Sequence, residues 1–359
     1  MGWLIWSGIG VAFTRADGST IAAFMATGRT DVQSVTSEYE IFRGGLAKIF
    51  LEPVMSRVRI MLNETVASYV QHDDSVDVTF ANSRKTESYD LLVAADGLGS
   101  RIRGMMLGTK PSEQIHDEGV HVCYFTIKRD LLQGSKVAKW YNATNGRVIF
   151  LRPDPAGHTR VCFLNIRWRS DKPAKQRFDD AVKAGNAAYM ALMDELFTDV
   201  GWLAPEVLKG MHDADDFYCS LFGQTRCPRL QDGRVVLLGD AAHATPGFGT
   251  SLAIIDGYVL AGELLRNSGG VKAATKAYEE LLMPFVKSQQ GDDVAMQLGN
   301  PQSGWGLRVR NAVLIVVTGL GIDRLVMSAG AYLGFTEAKL KMPEYAWPAA
   351  DGSIAVNGE

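Results

Sequence analysis

Two acidic side chains, Asp240 and Asp96, each stand where an apolar run stops beside a glycine, and an arginine, Arg43, opens an apolar-striped segment. Val235, Val236, Leu237 and Leu238 make a short continuous apolar run, the pattern of a strand buried on both faces. Gly239-Asp240 follows, then a small-residue loop through Pro246 and Gly249, then a striped segment to Leu265 that reads as a helix. A carboxylate at that turn is costly to bury unless donors reach it, and the hydroxyls of a polyol chain are such donors. Thr250 is placed to cap the helix, whose positive end faces whatever lies in the loop. Leu91 to Ala95 form a second apolar run that ends in Asp96-Gly97, with Ser100 and Arg103 beyond. Asp96 then lies at the carboxyl end of a parallel strand, where ligands of open α/β sheets collect, and Gly97 lets a ligand approach the backbone closely. Leu46, Ile49 and Phe50 recur at helical spacing after Arg43, and Pro53 helps end the segment. A guanidinium at that start suits an anionic ligand such as phosphate. Each piece has an ordinary reading as well: strand–turn–helix units are common in α/β proteins, and Arg43 alone would be a solvated surface residue.

The three pieces in this order change the balance. The run GRVVLLGDAAHATPGFGTSLAIIDGYVLAGELL resembles the second flavin-contacting motif (GDAAH…P…G.G) of single-component FAD-dependent aromatic hydroxylases of the p-hydroxybenzoate hydroxylase type. YDLLVAADGLGSRIR resembles the D-G-x-x-S-x-x-R motif of the same family, and YEIFRGGLAKIFL its R-x-x-L helix. The likeness is nearest to tetracycline-degrading hydroxylases and those of fungal secondary metabolism. It implies that FAD is held by Arg43, Asp96, Gly97, Arg103, Gly239, Asp240, Pro246, Gly249 and Thr250. It also implies NAD(P)H as a transient reductant, O2 as co-substrate, and a flavin hydroperoxide that hydroxylates a small aromatic or polyketide-like substrate. The cofactor carries most of that chemistry; the sequence offers no dedicated acid–base pair, nucleophile or metal-ligand grouping.

Two departures from the family pattern stand out. Members open with a strand, G-x-G-x-x-G and a helix, which cradle the FAD pyrophosphate. Here Gly8-Ile9-Gly10 lacks the third glycine, and FTRADGSTIAAF reads as a hairpin turning at Asp17-Gly18. The FAD-binding lobe is therefore expected to be N-terminally incomplete. The interval from Pro246 to Gly249 is also contracted. These departures keep an alternative open: a truncated or repurposed relative without redox activity, either a non-redox cyclase or a ligand-binding remnant.

The remaining composition narrows the class. A chain of 359 residues can bury a large core and hold two lobes. Its net charge of −3 gives no sign of nucleic-acid binding. Cys123, Cys162, Cys219 and Cys227 show no C-x-x-C spacing, so buried thiols in a reducing compartment, and hence a cytoplasmic location, are expected. His243, beside Asp240, reads as structural in the absence of partner ligands. No secretory signal is convincing, and Ala312–Ile322 is too short to span a bilayer. A buried or dimer-facing helix is the reading there, with peripheral membrane contact as the alternative.

These pieces imply an α/β chain with a doubly wound FAD/NAD(P)-binding lobe, an antiparallel-sheet substrate lobe and C-terminal helices. Residues 1–110 are assigned to the remaining FAD-binding lobe, 111–230 to the substrate sheet, 231–295 to the return of the FAD-binding lobe, and 296–359 to a helical segment and tail. The substrate sheet is read from the alternating stretches HVCYFTIKR, KWYNA, GRVIFLRPD and TRVCFLNIRW. Trp140, Phe150, Arg152, Phe163 and Asn165 are its candidate pocket residues, although half of any alternating set faces away. Lys175–Val200 reads as one helix, and Val271–Gln290 as another, kinked at Pro284. The small-residue tail from Pro343 reads as loosely held.

Overall fold

The alternating stretches between residues 115 and 166 pair as expected, and the sheet they form is wider than they are. A computed structural model describes residues 9–26, 41, 43–268, 270–291, 295–322 and 340–348. The chain divides into two units, one made of Met1–Arg59, Gly119–Phe222 and Asp293–Thr336, the other of Ile60–Glu118, Gly223–Asp292 and Glu337–Glu359.

The principal sheet has seven strands in the order Tyr218–Thr225, Ile115–Ile127, Thr159–Ile166, Arg147–Pro153, Val137–Asn142, Gly10–Thr14 and Thr20–Met25. The last two form the expected hairpin: Asp17 accepts the Ser19 N–H at 2.8 Å and its hydroxyl at 2.6 Å, and Gly18 takes φ 85°. The assignment of this hairpin to a nucleotide lobe needs correction, because Gly10–Thr14 pairs in parallel with Val137–Asn142 and extends the substrate-type sheet. Chain order suggested otherwise because such a parallel pairing joins residues far apart in sequence.

One face of this sheet is covered by helices. Cys123, Phe125, Tyr141, Ile149, Leu151 and Phe163 pack there against side chains of the helices Lys172–Ala184, Asn186–Phe197 and Ala204–His212. The single helix expected over Lys175–Val200 is in fact two, broken at Gly185, whose φ of 98° no helical residue adopts. Asp171 caps the first through the Ala174 N–H at 3.0 Å.

In the other unit, Leu92–Ala94 and Val235–Leu237 run parallel, with Gln231–Asp232 antiparallel beside them. Val235, Val236 and Leu237 are fully buried, as their continuous apolar pattern requires. The helices Arg101–Leu107, Gly249–Arg266 and Val271–Gln289 supply most of the remaining core, and Tyr278 in the last donates its hydroxyl to Leu237 O at 2.9 Å. Val66–Gln71, Val76–Phe80 and Thr86–Tyr89 form a small antiparallel sheet.

The described part of the tail is not loose. Tyr345 is buried, its hydroxyl donates to Glu263 at 2.8 Å, and its ring packs against Tyr258 and Trp347. Residues 349–359 lie outside the described set. Among the described residues, no helix is long and apolar enough to cross a membrane.

Candidate flavin site

The parallel pairing of Leu92–Ala94 with Val235–Leu237 brings the two acid–glycine turns side by side. Leu237 is in register with Ala94, and Leu238 N donates to Ala94 O at 2.9 Å. Asp96-Gly97 and Gly239-Asp240 therefore leave the carboxyl ends of neighbouring strands, as the sequence predicts.

The two carboxylates do different work. Asp96 accepts the Ser100 hydroxyl at 2.5 Å, the Arg101 N–H at 2.9 Å and the Ile102 N–H at 3.4 Å. Ser100 then accepts the Arg103 N–H at 3.0 Å, so the pair satisfies the first donors of the helix Arg101–Leu107. Asp240 is exposed, and its carboxylate takes no hydrogen bond from the described residues. Its Oδ1 would lie 3.1 Å from a Cβ at Gly249, so it sits beside the first turn of the helix Gly249–Arg266.

That helix starts two residues earlier than a Thr250 cap requires. Thr250 is already inside it, Phe248 occupies the cap position, and no side chain bonds the first turn. The capping role assigned to Thr250 is therefore corrected: the first-turn N–H groups have no side-chain acceptor and add positive potential beside Asp240. The contracted loop before them holds Gly247 at φ 82°, and a Cβ at Gly97, Gly99 or Gly247 would meet nothing within 4 Å. The backbone at these turns is open to a ligand.

Arg103 takes a structural position. It is fully buried and donates to Leu98 O at 2.7 Å, Pro111 O at 2.6 Å and Ala241 O at 2.9 Å. Its guanidinium ties the Asp96 turn to the Asp240 turn through their backbones. Arg43 is the first residue of the helix Arg43–Leu51, as expected, while its side chain lies outside the described set.

Sequence reasoning missed Asp256. It lies fully buried in the helix Gly249–Arg266, where an acid within an apolar stripe was the available sign. Its Oδ2 accepts the Gly239 N–H at 2.7 Å, and both its oxygens lie about hydrogen-bond distance from His243 Nε2, at 3.0 and 2.9 Å. His243 is structural, as read, yet it has a partner. Thr225 adds a brace from the other side, donating its hydroxyl to Asp240 O at 2.9 Å and its N–H to Ala244 O at 3.0 Å.

Strand register divides the five candidate pocket residues. Trp140 is opposite Phe150, and Arg152 is two residues further on, so these three share one face. Phe163 pairs with Ile149 and Asn165 with Arg147, which puts both on the helix-covered face. Phe163 packs there on Phe197 with ring centroids 4.3 Å apart. Phe163 and Asn165 are therefore corrected to packing positions; the partners of Phe150 on its own face are Cys162 and, beyond it, Tyr124.

Residues 50–288 match the family model for the FAD binding domain, and the chain belongs to this family of flavin-dependent monooxygenases. FAD is accordingly its cofactor. The monooxygenase CTB7 of Cercospora beticola is 32% identical over 323 residues, spanning 87% of this chain and 75% of the relative. The FAD-dependent monooxygenase asL4 of Sarocladium schorii is 28% identical, spanning 94% and 82%. Among solved structures, the tetracycline destructase Tet(55) superposes with a TM-score of 0.66 at 26% identity, over 94% of this chain and 81% of that one.

Proposed function

We propose that the chain hydroxylates a small aromatic or polyketide-like molecule, with NAD(P)H as the reductant of its FAD. When bound, FAD would carry the two electrons from NAD(P)H and activate O2, with a flavin hydroperoxide as the oxygen donor. The observation that carries this reading is the exposed, unpartnered Asp240 carboxylate at the end of Val235–Leu237, set beside uncapped helix donors and open glycine backbone.

Those features fit a flavin. Asp240 would accept hydroxyls of the ribityl chain, which a carboxylate with no other partner is free to do. The first-turn N–H groups of Gly249 and Thr250 would favour negative charge on the reduced ring, and Pro246 shapes the loop beside them. Gly97 and Gly239 would let the cofactor approach the backbone. Arg103, Asp96 and Asp256 act through the turns they hold. Arg43, at a helix start, is assigned to an anionic part of the cofactor. In this reading the Asp96 and Asp240 turns belong to the FAD-binding lobe. The seven-stranded sheet supplies the substrate floor, and Trp140, Phe150 and Arg152 are its lining candidates.

The test is the visible spectrum of concentrated protein, with and without added FAD, after desalting. A retained flavin band, followed by substrate-stimulated NAD(P)H oxidation and O2 uptake, supports the proposal. Absence of a band at saturating FAD overturns it for this chain and favours a non-redox ligand pocket.

A further inference from the structure

The sheet face that carries Trp140 and Phe150 also holds a cation without a counter-charge among the described residues. Arg310, in the helix Gly304–Gly319, lies over the Phe13 ring with Cζ 5.0 Å from the centroid. Phe13, Trp140 and Phe150 continue as an aromatic wall, with successive centroids 6.2 and 5.1 Å apart.

The guanidinium is held by neutral acceptors alone. Nη1 donates to Asn142 Oδ1 at 2.8 Å and to Gly299 O at 3.3 Å, and Nε donates to Asn311 Oδ1 at 3.0 Å. Asn142 is fixed in turn, because its amide nitrogen donates to Asn300 Oδ1 at 2.7 Å, leaving its oxygen for Arg310. Nη2, with two N–H donors, has no partner among the described residues, and Arg310 is only half-buried. No Asp or Glu occurs in Gly10–Thr14, Thr20–Met25, Val137–Asn142, Arg147–Pro153 or Gly304–Gly319. Burial lowers the Arg310 pKa to about 10, with no opposing attraction from a carboxylate, and it stays charged at neutral pH. Trp140 adds a buried Nε1–H without an acceptor among the described residues.

A partly buried cation whose orientation is fixed and whose free edge meets no acid among the described residues is arranged for an anion that arrives from outside. A tie between helix and strand would need only the neutral contacts. We propose that Arg310 selects substrates that carry an anionic oxygen, a carboxylate or an ionised phenol or enol, on an aromatic ring that packs against Phe13, Trp140 and Phe150. This rests on reading the face as the substrate floor.

Equilibrium binding by calorimetry, with no turnover required, tests it. Naphthoate is compared with naphthamide, and para-nitrophenolate with para-nitroanisole at a pH where the phenol is ionised. The protein is expected to prefer the anion of at least one pair by about tenfold or more, and the pair that shows it identifies the anionic group. Arg310→Met should remove that preference while leaving the neutral probe within about twofold, and Arg310→Lys should keep part of it. Equal affinity within both pairs, no binding of either anion, or a preference that survives Arg310→Met overturns the proposal. If Arg310→Met fails to fold, the wild-type preference and Arg310→Lys decide. A charge preference without a retained flavin band would sink the oxygenase reading alone; a flavin band without a charge preference would sink only this one.

Discussion

Asp256 Oδ2 accepts the backbone N–H of Gly239 at 2.7 Å, which links the middle of one helix to the turn that presents Asp240. Gly239 sits at φ 60° and ψ −137°, a conformation foreign to L side chains, and the Asp256 carboxylate stabilises it. Asp256→Leu would leave Gly239 N–H and His243 Nε2 buried without an acceptor, at about 1–3 kcal/mol for each orphaned group. Urea denaturation should show that loss, and flavin retention should fall with it. Asp256→Asn keeps an acceptor for Gly239 and should cost less. Equal losses in both variants would mean that the turn does not depend on this bond.

Asp240 and Asp96 should separate cleanly. Asp240→Ala removes a carboxylate with no partner among the described residues, so its stability should change by no more than about 0.5 kcal/mol while flavin retention is lost. Asp96→Ala removes the acceptor of Ser100 and two helix N–H groups and should cost about 1–2 kcal/mol. Paired urea melts and FAD equilibrium dialysis read both effects. A destabilised Asp240→Ala, or one that retains flavin, would move the cofactor contact elsewhere.

Cys123 and Cys162 are buried, and Cys219 and Cys227 are partly so. Burial pushes Cys162 and Cys227 up to about 12, raises Cys123 well above the ordinary thiol range, and raises Cys219 as well. A thiol that stays protonated in the fold but ionises near 9 when unfolded binds more protons in the native state. Stability is therefore undiminished by these groups below pH 9 and falls as pH rises from 9 toward 12. Thiol titration at mildly alkaline pH should find Cys123, Cys162 and Cys227 slow in the native protein and fast in denaturant. Rapid native labelling of Cys162 would contradict this packing.

Gly262 leaves the space that the tail fills. A Cβ there would overlap the Tyr345 ring, closer than any side chain tolerates. Gly262→Ala should expel the segment around Tyr345, at about 1–3 kcal/mol, and expose it to limited proteolysis. Tyr345→Phe, which removes only the hydroxyl that Glu263 accepts, should leave the tail in place. An unchanged cleavage pattern in Gly262→Ala would mean that the tail can shift without leaving.

Local patterns were legible in the chain. Four consecutive apolar residues before Gly239-Asp240 specify a strand buried on both faces, and Asp17-Gly18 specifies a hairpin, because each depends on neighbours a few positions apart. The break at Gly185 was within reach on the same grounds, and helical periodicity ran across it. Arg103 was harder. Its spacing after Asp96 marks a motif, yet its use as a buried tie to Ala241 O depends on a partner 138 residues away. The split of Phe150 from Phe163 likewise depends on strand register, which alternation within one strand does not contain.

By itself the sequence determined the family, the cofactor class and the two acid–glycine turns, since these reside in residue types at short, fixed spacings. Only the tertiary structure decided which carboxylate is left open for a ligand, that Asp256 braces the Gly239 turn, and that Arg310 stands beside an aromatic wall without an acid among the described residues. Those outcomes rest on hydrogen bonds and face assignments between distant segments, and they come into being when the strands pair and the helices close over them.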